Sequence, residues 1–206
     1  MQSADHGAHA GAATPADVER WIAELGLVPV ERAERDGIAS WDLVLDGRRR
    51  FDLRVTVILD PGLALICWAH YAPPIGDLFR KSYRRLLRWN DEFPFAKFSV
   101  GEDERPLLAV EQSIAGAAAA GSDGLGIALA RIVGIADRLL DESKDWIWIG
   151  GRMPDTTGRT SRNEPFLERY AVRLPELFDS APAADPATAT DPATAADSTP
   201  VAGHTT

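Results

Sequence analysis

Residues 51 to 71 read FDLRVTVILDPGLALICWAHY, and the spacing of apolar residues in this stretch decides the fold. Phe51, Leu53, Val55, Val57 and Leu59 alternate with Asp52, Arg54 and Thr56, the period-2 signature of a strand with one face toward a core. Asp60-Pro61-Gly62 is turn chemistry. Beyond it the strand from 63 to 71 is apolar on both faces, with Leu63, Leu65, Cys67 and Ala69 on one and Ala64, Ile66 and Trp68 on the other. The second face needs cover as well, and Ile66 and Trp68 mark where a dimer or another protein partner is expected.

Upstream, residues 40 to 46 alternate in the same way, with Trp41, Leu43 and Leu45 inward, and Asp46-Gly47 follows as a turn. These strands predict a three-strand antiparallel meander, at 40–46, 50–59 and 63–71. Ahead of it, Thr14-Pro15 and the stripe Val18, Trp21, Ile22 and Leu25 predict a capped helix over 15–25, closed by Gly26. Downstream, Pro73-Pro74 opens a second helix over 75–92, with Leu78, Leu86 and Trp89 on one side and Arg80, Lys81, Arg84, Arg85 and Arg88 on the other. A hairpin follows over 95–101 and 106–114 across Glu102-Asp103-Glu104, then an Ala/Gly loop over 115–121. A third helix, capped by Ser122 or Asp123, runs to about Glu142.

Helix, three strands, helix, two strands and helix make an α+β sandwich of one antiparallel sheet against helices. It occupies residues 14–145. Residues 1–13 read as a disordered leader without the basic and apolar regions of a secretory signal. Residues 146–179 read as a C-terminal extension packing on the domain. It opens with the apolar run Trp146-Ile147-Trp148-Ile149 and ends in an amphipathic helix carrying Phe166, Tyr170, Leu174 and Leu177, which Pro175 interrupts. Residues 180–206 hold nine Ala, six Thr, four Pro and three Asp with no Lys or Arg, and read as a disordered tail that cannot offset its ordering entropy.

The chain has 206 residues and a formal charge of −9; the tail and the leader's Asp5 account for four of those charges, so the folded part is only mildly acidic. This disfavours a dedicated nucleic-acid binder, and no apolar run of about 20 residues spans a membrane in the sequence reading. The single Cys67 excludes an internal disulfide and points to a reducing cytoplasm.

Chemistry-bearing constellations are few. Cys67 and His70 lie three apart on a strand and so face opposite ways, which rules out a dyad without a bulge. With His6, His9 and His204 confined to the leader and tail, no metal centre or cofactor site is expected. The acidic groups at 102–104 and 141–142 fall on a hairpin tip and a helix end, where carboxyls stay solvated rather than tuned for acid–base work. Gly121-Ser122-Asp123-Gly124-Leu125-Gly126 lacks the dinucleotide fingerprint. The loop 152–163 alternates Arg152, Arg159 and Arg162 with Ser and Thr and reads as an exposed linker, with phosphorylation as the alternative. The cations of the second helix are the strongest surface feature: Arg80, Arg84, Arg85 and Arg88 are either a solvated face or a site for an anionic partner, with Arg48, Arg49, Arg50 and Arg54 extending the field if the first hairpin lies beside them.

The order of elements from Pro15 to Glu142, and the join Leu86-Leu87-Arg88-Trp89-Asn90-Asp91-Glu92-Phe93-Pro94-Phe95-Ala96-Lys97-Phe98, resemble the YbjN-like and type III secretion chaperone-like family of bacterial α+β domains. The Ala- and Arg-rich composition is similar to that of actinobacterial members. The resemblance implies a cytoplasmic domain, usually dimeric, without catalytic residues or cofactor. Secretion chaperones of this fold hold an extended client segment, and YbjN-like members are described as sensory or regulatory. The expected function is therefore non-enzymatic protein binding, chaperone-like or regulatory. The alternative is a regulator that senses a small ligand or anion in a cleft between sheet and helices.

Overall fold

The computed structural model describes residues 12–75, 80–144 and 158–178. The first helix, α1 (Pro15–Glu24), begins with a reciprocal cap: Asp17 N–H donates to Thr14 Oγ1 (3.3 Å) while the Thr14 N–H donates to Asp17 Oδ2 (3.0 Å). Four strands follow as a meander: β1 (Glu31–Arg35), β2 (Ile38–Leu45), β3 (Leu53–Asp60) and β4 (Ala64–His70). After α2 (Arg80–Glu92) come β5 (Lys97–Val100) and β6 (Pro106–Ser113). The sheet is antiparallel throughout, in the order β1-β2-β3-β4-β6-β5, so the second hairpin docks through β6 on β4. The helix α3 (Ile114–Ser143), then α4 (Glu164–Ala171) and the single turn α5 (Pro175–Phe178), complete the described chain.

The architecture is the expected α+β one, with two differences. β1 was not predicted, because Glu31-Arg32-Ala33-Glu34-Arg35 has no apolar alternation; all five residues are exposed on the sheet's edge. The run 115–121, expected as a loop, is helical. Ser113 caps α3 by accepting the Gly116 N–H (3.2 Å), and Ala, the strongest helix former, carries the helix to Gly121, the only position within it with non-helical backbone angles (φ 60°, ψ −145°). Gly121 thus divides α3 into two helical segments: Ser113 caps the first, and the second begins after Gly121, where the sequence places the start of the third helix.

The helices gather on one face of the sheet. From that face Trp41, Leu43, Val55, Val57, Leu65, Cys67, Leu108 and Val110 meet α1 and α3, while Trp89 and Phe93 of α2 pack on Phe98 and Trp89 also on Tyr71. α3 is the central element. It is long and apolar enough in length and composition to cross a membrane, yet here most of its residues are buried between the sheet, α1, α4 and α5. α4 approaches α3 so closely that a Cβ on Gly126 would sit 2.1 Å from Tyr170 Oη, which only glycine permits.

The turn between β2 and β3 fastens this layer. The Asp137 carboxylate of α3 accepts the backbone N–H groups of Arg48 (2.7 Å), Arg49 (3.1 Å) and Arg50 (2.6 Å). Burial raises its pKa, opposed by those three bonds. Asp46, buried beside it, takes both arms of Arg162 (2.6 and 2.8 Å), and its N–H donates to Asn163 Oδ1 (2.7 Å). Arg159 and Arg162 both reach Asp52 as well (2.7 and 2.8 Å). The segment from 158 onward is thereby tied to the β2–β3 turn. Trp146 to Ile149, Arg152, Thr156 and Thr157 lie outside the described residues, as do the leader and the tail.

Candidate functional site

The face of the sheet away from the helices carries the candidate site. Cross-strand register places Glu31, Asp42, Thr56, Trp68, Ala109 and Lys97 in one row across all six strands. Beside it run Ala33, Ser40, Ile58, Ile66 and Glu111, and on the other side His70 lies opposite Leu107. The centre is therefore apolar: Ile58, Ile66, Trp68, Leu107 and Ala109 are each half-buried by their neighbours on the sheet, while the alternate residues Leu65, Cys67 and Leu108 are buried under the helices. The Trp68 ring stands edge-on to His70 at 4.8 Å between centroids. His70 Nδ1 is buried and has no hydrogen-bond partner among the described residues.

Charged groups lie on either side of this centre. Toward β1, Arg54 donates to Glu31 (2.8 Å) and Asp42 (2.9 Å), and Asp42 accepts from Thr56 Oγ1 (2.5 Å). Toward β5, Lys97 and Glu111 lie 3.9 Å apart. The arrangement is an apolar centre inside a polar rim.

Of the residues singled out in the sequence, Ile66 and Trp68 lie together on this face. Ile58, Leu107 and Ala109, which complete it, were not singled out, although Leu107-Leu108-Ala109-Val110 shows the same two-sided apolar pattern that marked Ile66 and Trp68. The cations of α2 lie elsewhere. α2 packs on the helical side through Leu86, Trp89 and Phe93, so Arg84, Arg85 and Arg88 are exposed on the outside of that layer; the Arg80 side chain lies outside the described residues. The structure does not bring them to Ile66 and Trp68.

Nor do the arginines of the first hairpin extend a free basic field. Arg48 pairs with Glu164 (2.9 Å), Arg49 with Asp141, and Arg54 with Glu31 and Asp42, while Arg50 is largely desolvated beside Tyr71 and Asp137. In the loop before α4, Arg159 and Arg162 clamp Asp52 and Asp46, and Ser161 Oγ donates to the Asp46 carbonyl (3.0 Å).

Cys67 is buried in the core, and desolvation pushes its thiol up to about 12, which keeps it protonated at neutral pH. Among the described residues no group of three His, Cys, Asp or Glu side chains is placed to hold a metal ion. A cleft of about 290 Å³ does lie between α1 and β2, lined by Glu19, Ile22, Ala23, Leu27, Pro29, Arg32 and Trp41. Its only cation, Arg32, already holds Glu19 (2.7 Å) and Glu34 (3.0 Å), and an anion entering there would have to displace two carboxylates.

No curated protein matches this chain. Residues 14–144 match the family model YbjN, described as "Putative bacterial sensory transduction regulator". That match runs from the cap of α1 to the end of α3, more than half of the chain and the whole of the sheet, and on it the chain belongs to the YbjN family.

Proposed function

We propose that this chain is a non-enzymatic regulatory domain of the cytoplasm that acts by binding a protein partner on the open face of its sheet. The observation that carries this reading is Trp68, a large aromatic only partly buried among Ile58, Ile66, Leu107 and Ala109 on a face no described helix covers. Monomeric proteins seldom leave such a patch without use, and tryptophan is among the residues that dominate binding energy when a partner desolvates it. The partner would supply aliphatic or aromatic anchors to the centre. Arg54 and Lys97, rather than the cations of α2, would orient it from the rim. Arg84 and Arg88 would then belong to a separate surface on the helical layer, where an acidic segment is the expected partner. Membership of a family described as regulatory supports the reading, and a chaperone-like hold on a client strand is its more specific form.

The test is retention of partners from lysate of the native host by wild-type protein and by Trp68→Ala. The variant should keep its cooperative melt and lose the proteins that the wild type retains. A Trp68→Ala protein that retains the same set places the binding surface elsewhere.

A further inference from the structure

The edge strand β1 carries a pattern that neither the family match nor the open face explains. A two-residue turn, Asp36 (φ 53°) and Gly37 (φ 78°), joins β1 to β2, so Arg35 and Ile38 are the hydrogen-bonded pair that closes the hairpin. Alternation from that pair sends the main-chain groups of Ala33 and Glu31 toward β2 and leaves the N–H and C=O groups of Arg32 and Glu34 pointing off the sheet. The free edge stops at Val30, whose N–H turns inward to the Asp42 carbonyl (2.8 Å).

Read outward from Ala33, the strand Glu31-Arg32-Ala33-Glu34-Arg35 is its own complement in charge. Placed antiparallel to a second copy with Ala33 opposite Ala33, every Glu faces an Arg: Glu31 against Arg35 and Arg32 against Glu34, on both sides of a two-fold axis. Arg32 and Glu34 are also the residues whose main-chain groups are free, so the register the charges favour is the one the hydrogen bonds allow. A slip of one residue either way sets Glu31 against Glu34 or Arg32 against Arg35, and turns side chains to the wrong face. Arg32 holds Glu19 (2.7 Å) and Glu34 of its own strand (3.0 Å) on the helical face, and Glu31 holds Arg54 (2.8 Å) on the open face, so a second copy would extend these charge rows, its Glu34 and Arg32 sharing in the in-strand pair. Exposed apolar residues collect at the same edge: Val28, Val30 and Ile38 are 79%, 62% and 39% exposed.

We propose that β1 is a self-recognition strand through which two copies of this chain join edge to edge, antiparallel about Ala33, into one continuous sheet. Charged edge strands ordinarily discourage pairing. Here the signs alternate so that a second copy of the same strand, in one register, is the exception. Edge pairing leaves the open face of each copy accessible, so the dimer would present two such faces on one side of a single extended sheet.

Sedimentation velocity on the full chain tests this with two charge variants, an acidic strand (Arg32→Glu with Arg35→Glu) and a basic strand (Glu31→Arg with Glu34→Arg). The wild type should self-associate, and more weakly as salt is raised. Each variant alone should associate about 100-fold more weakly, since its facing pairs become like charges, and an equimolar mixture of the two should dimerise again. The mixture guards against mere damage to the fold, and if a double variant does not fold, the single changes Arg32→Glu and Glu34→Arg serve in its place. A wild type that stays monomeric to about 1 mM, variants that dimerise as well as it does, or folded variants whose mixture stays monomeric would each overturn the proposal.

Discussion

Neighbouring residues of β4 live in different worlds. Leu65, Cys67 and Ala69 are each 1% exposed beneath α3, while Ile66, Trp68 and His70, one residue away along the same strand, stand on a face that no described helix reaches. Both sets are largely apolar, so hydrophobicity alone does not explain the difference. What separates them is the tertiary layer. Burial under α3 gives one set its energetic value in folding, and its absence leaves the other set's value to be realised only on contact with something else.

That contrast can be broken from either side. Leu65→Ala should cost about 2–5 kcal/mol of folding stability, the usual penalty for a cavity in a closed core, read as a shift of the urea midpoint at unchanged slope. Trp68→Ala, although it removes a larger side chain from the same strand, should cost only about 1 kcal/mol, because its ring loses cross-strand contacts and leaves no enclosed void. A Trp68 cost equal to that of Leu65 would mean that the open face is covered within the chain.

The covered side also depends on the clamp outside the sheet. Hydrogen bonds from Arg162, helped by the Asp52 and Arg162 N–H groups, hold the Asp46 carboxyl down to about 2 against the opposing effect of burial. Its folded pKa lies below its unfolded one, so the stabilisation is complete above about pH 4 and is lost as pH falls toward about 2. Allowing for the half-exposed Arg162, this amounts to about 1 kcal/mol. Arg162→Ala should remove that part of the acid limb in denaturation curves taken between pH 6 and pH 2.

The smallest effect belongs to Tyr170. Its hydroxyl is buried against α3 with no hydrogen-bond partner among the described residues, so Tyr170→Phe should leave stability within about 0.5 kcal/mol or raise it slightly in thermal melts. A clear loss would show that the hydroxyl has an acceptor, and that α4 is bound to α3 by more than packing.

Much of the fold was legible because apolar period is a local property. Val55-Thr56-Val57-Ile58-Leu59 can satisfy its alternation only as a strand, and Thr14-Pro15 announces a helix start, wherever the rest of the chain goes. β1 escaped because the signal for an edge strand with two solvated faces is not apolar periodicity but pairing, supplied by β2 and the Asp36-Gly37 turn. The helix over 115–121 escaped because small residues permit both loop and helix, and the choice fell to the Ser113 cap and to packing against β6 and α1. Of the candidate site, Ile66 and Trp68 were legible as the second apolar face of a strand. Their separation from the α2 cations was not, since which side of the sheet a helix takes is absent from its own periodicity.

The sequence by itself determined the types of the elements with an apolar period, the inward set of core residues and the opposite facing of Cys67 and His70, because each follows from spacing along the chain. Only the tertiary structure decided that α1, α2 and α3 all lie on one side, that the arginines at 48–50 and 159–162 are used internally, and that β1 stands at an edge. Those facts depend on which distant segments meet: Asp137 with the turn at 48–50, Arg162 with Asp46, β6 with β4. Contacts across that much sequence are selected by the packing of the whole domain, and no local pattern encodes them.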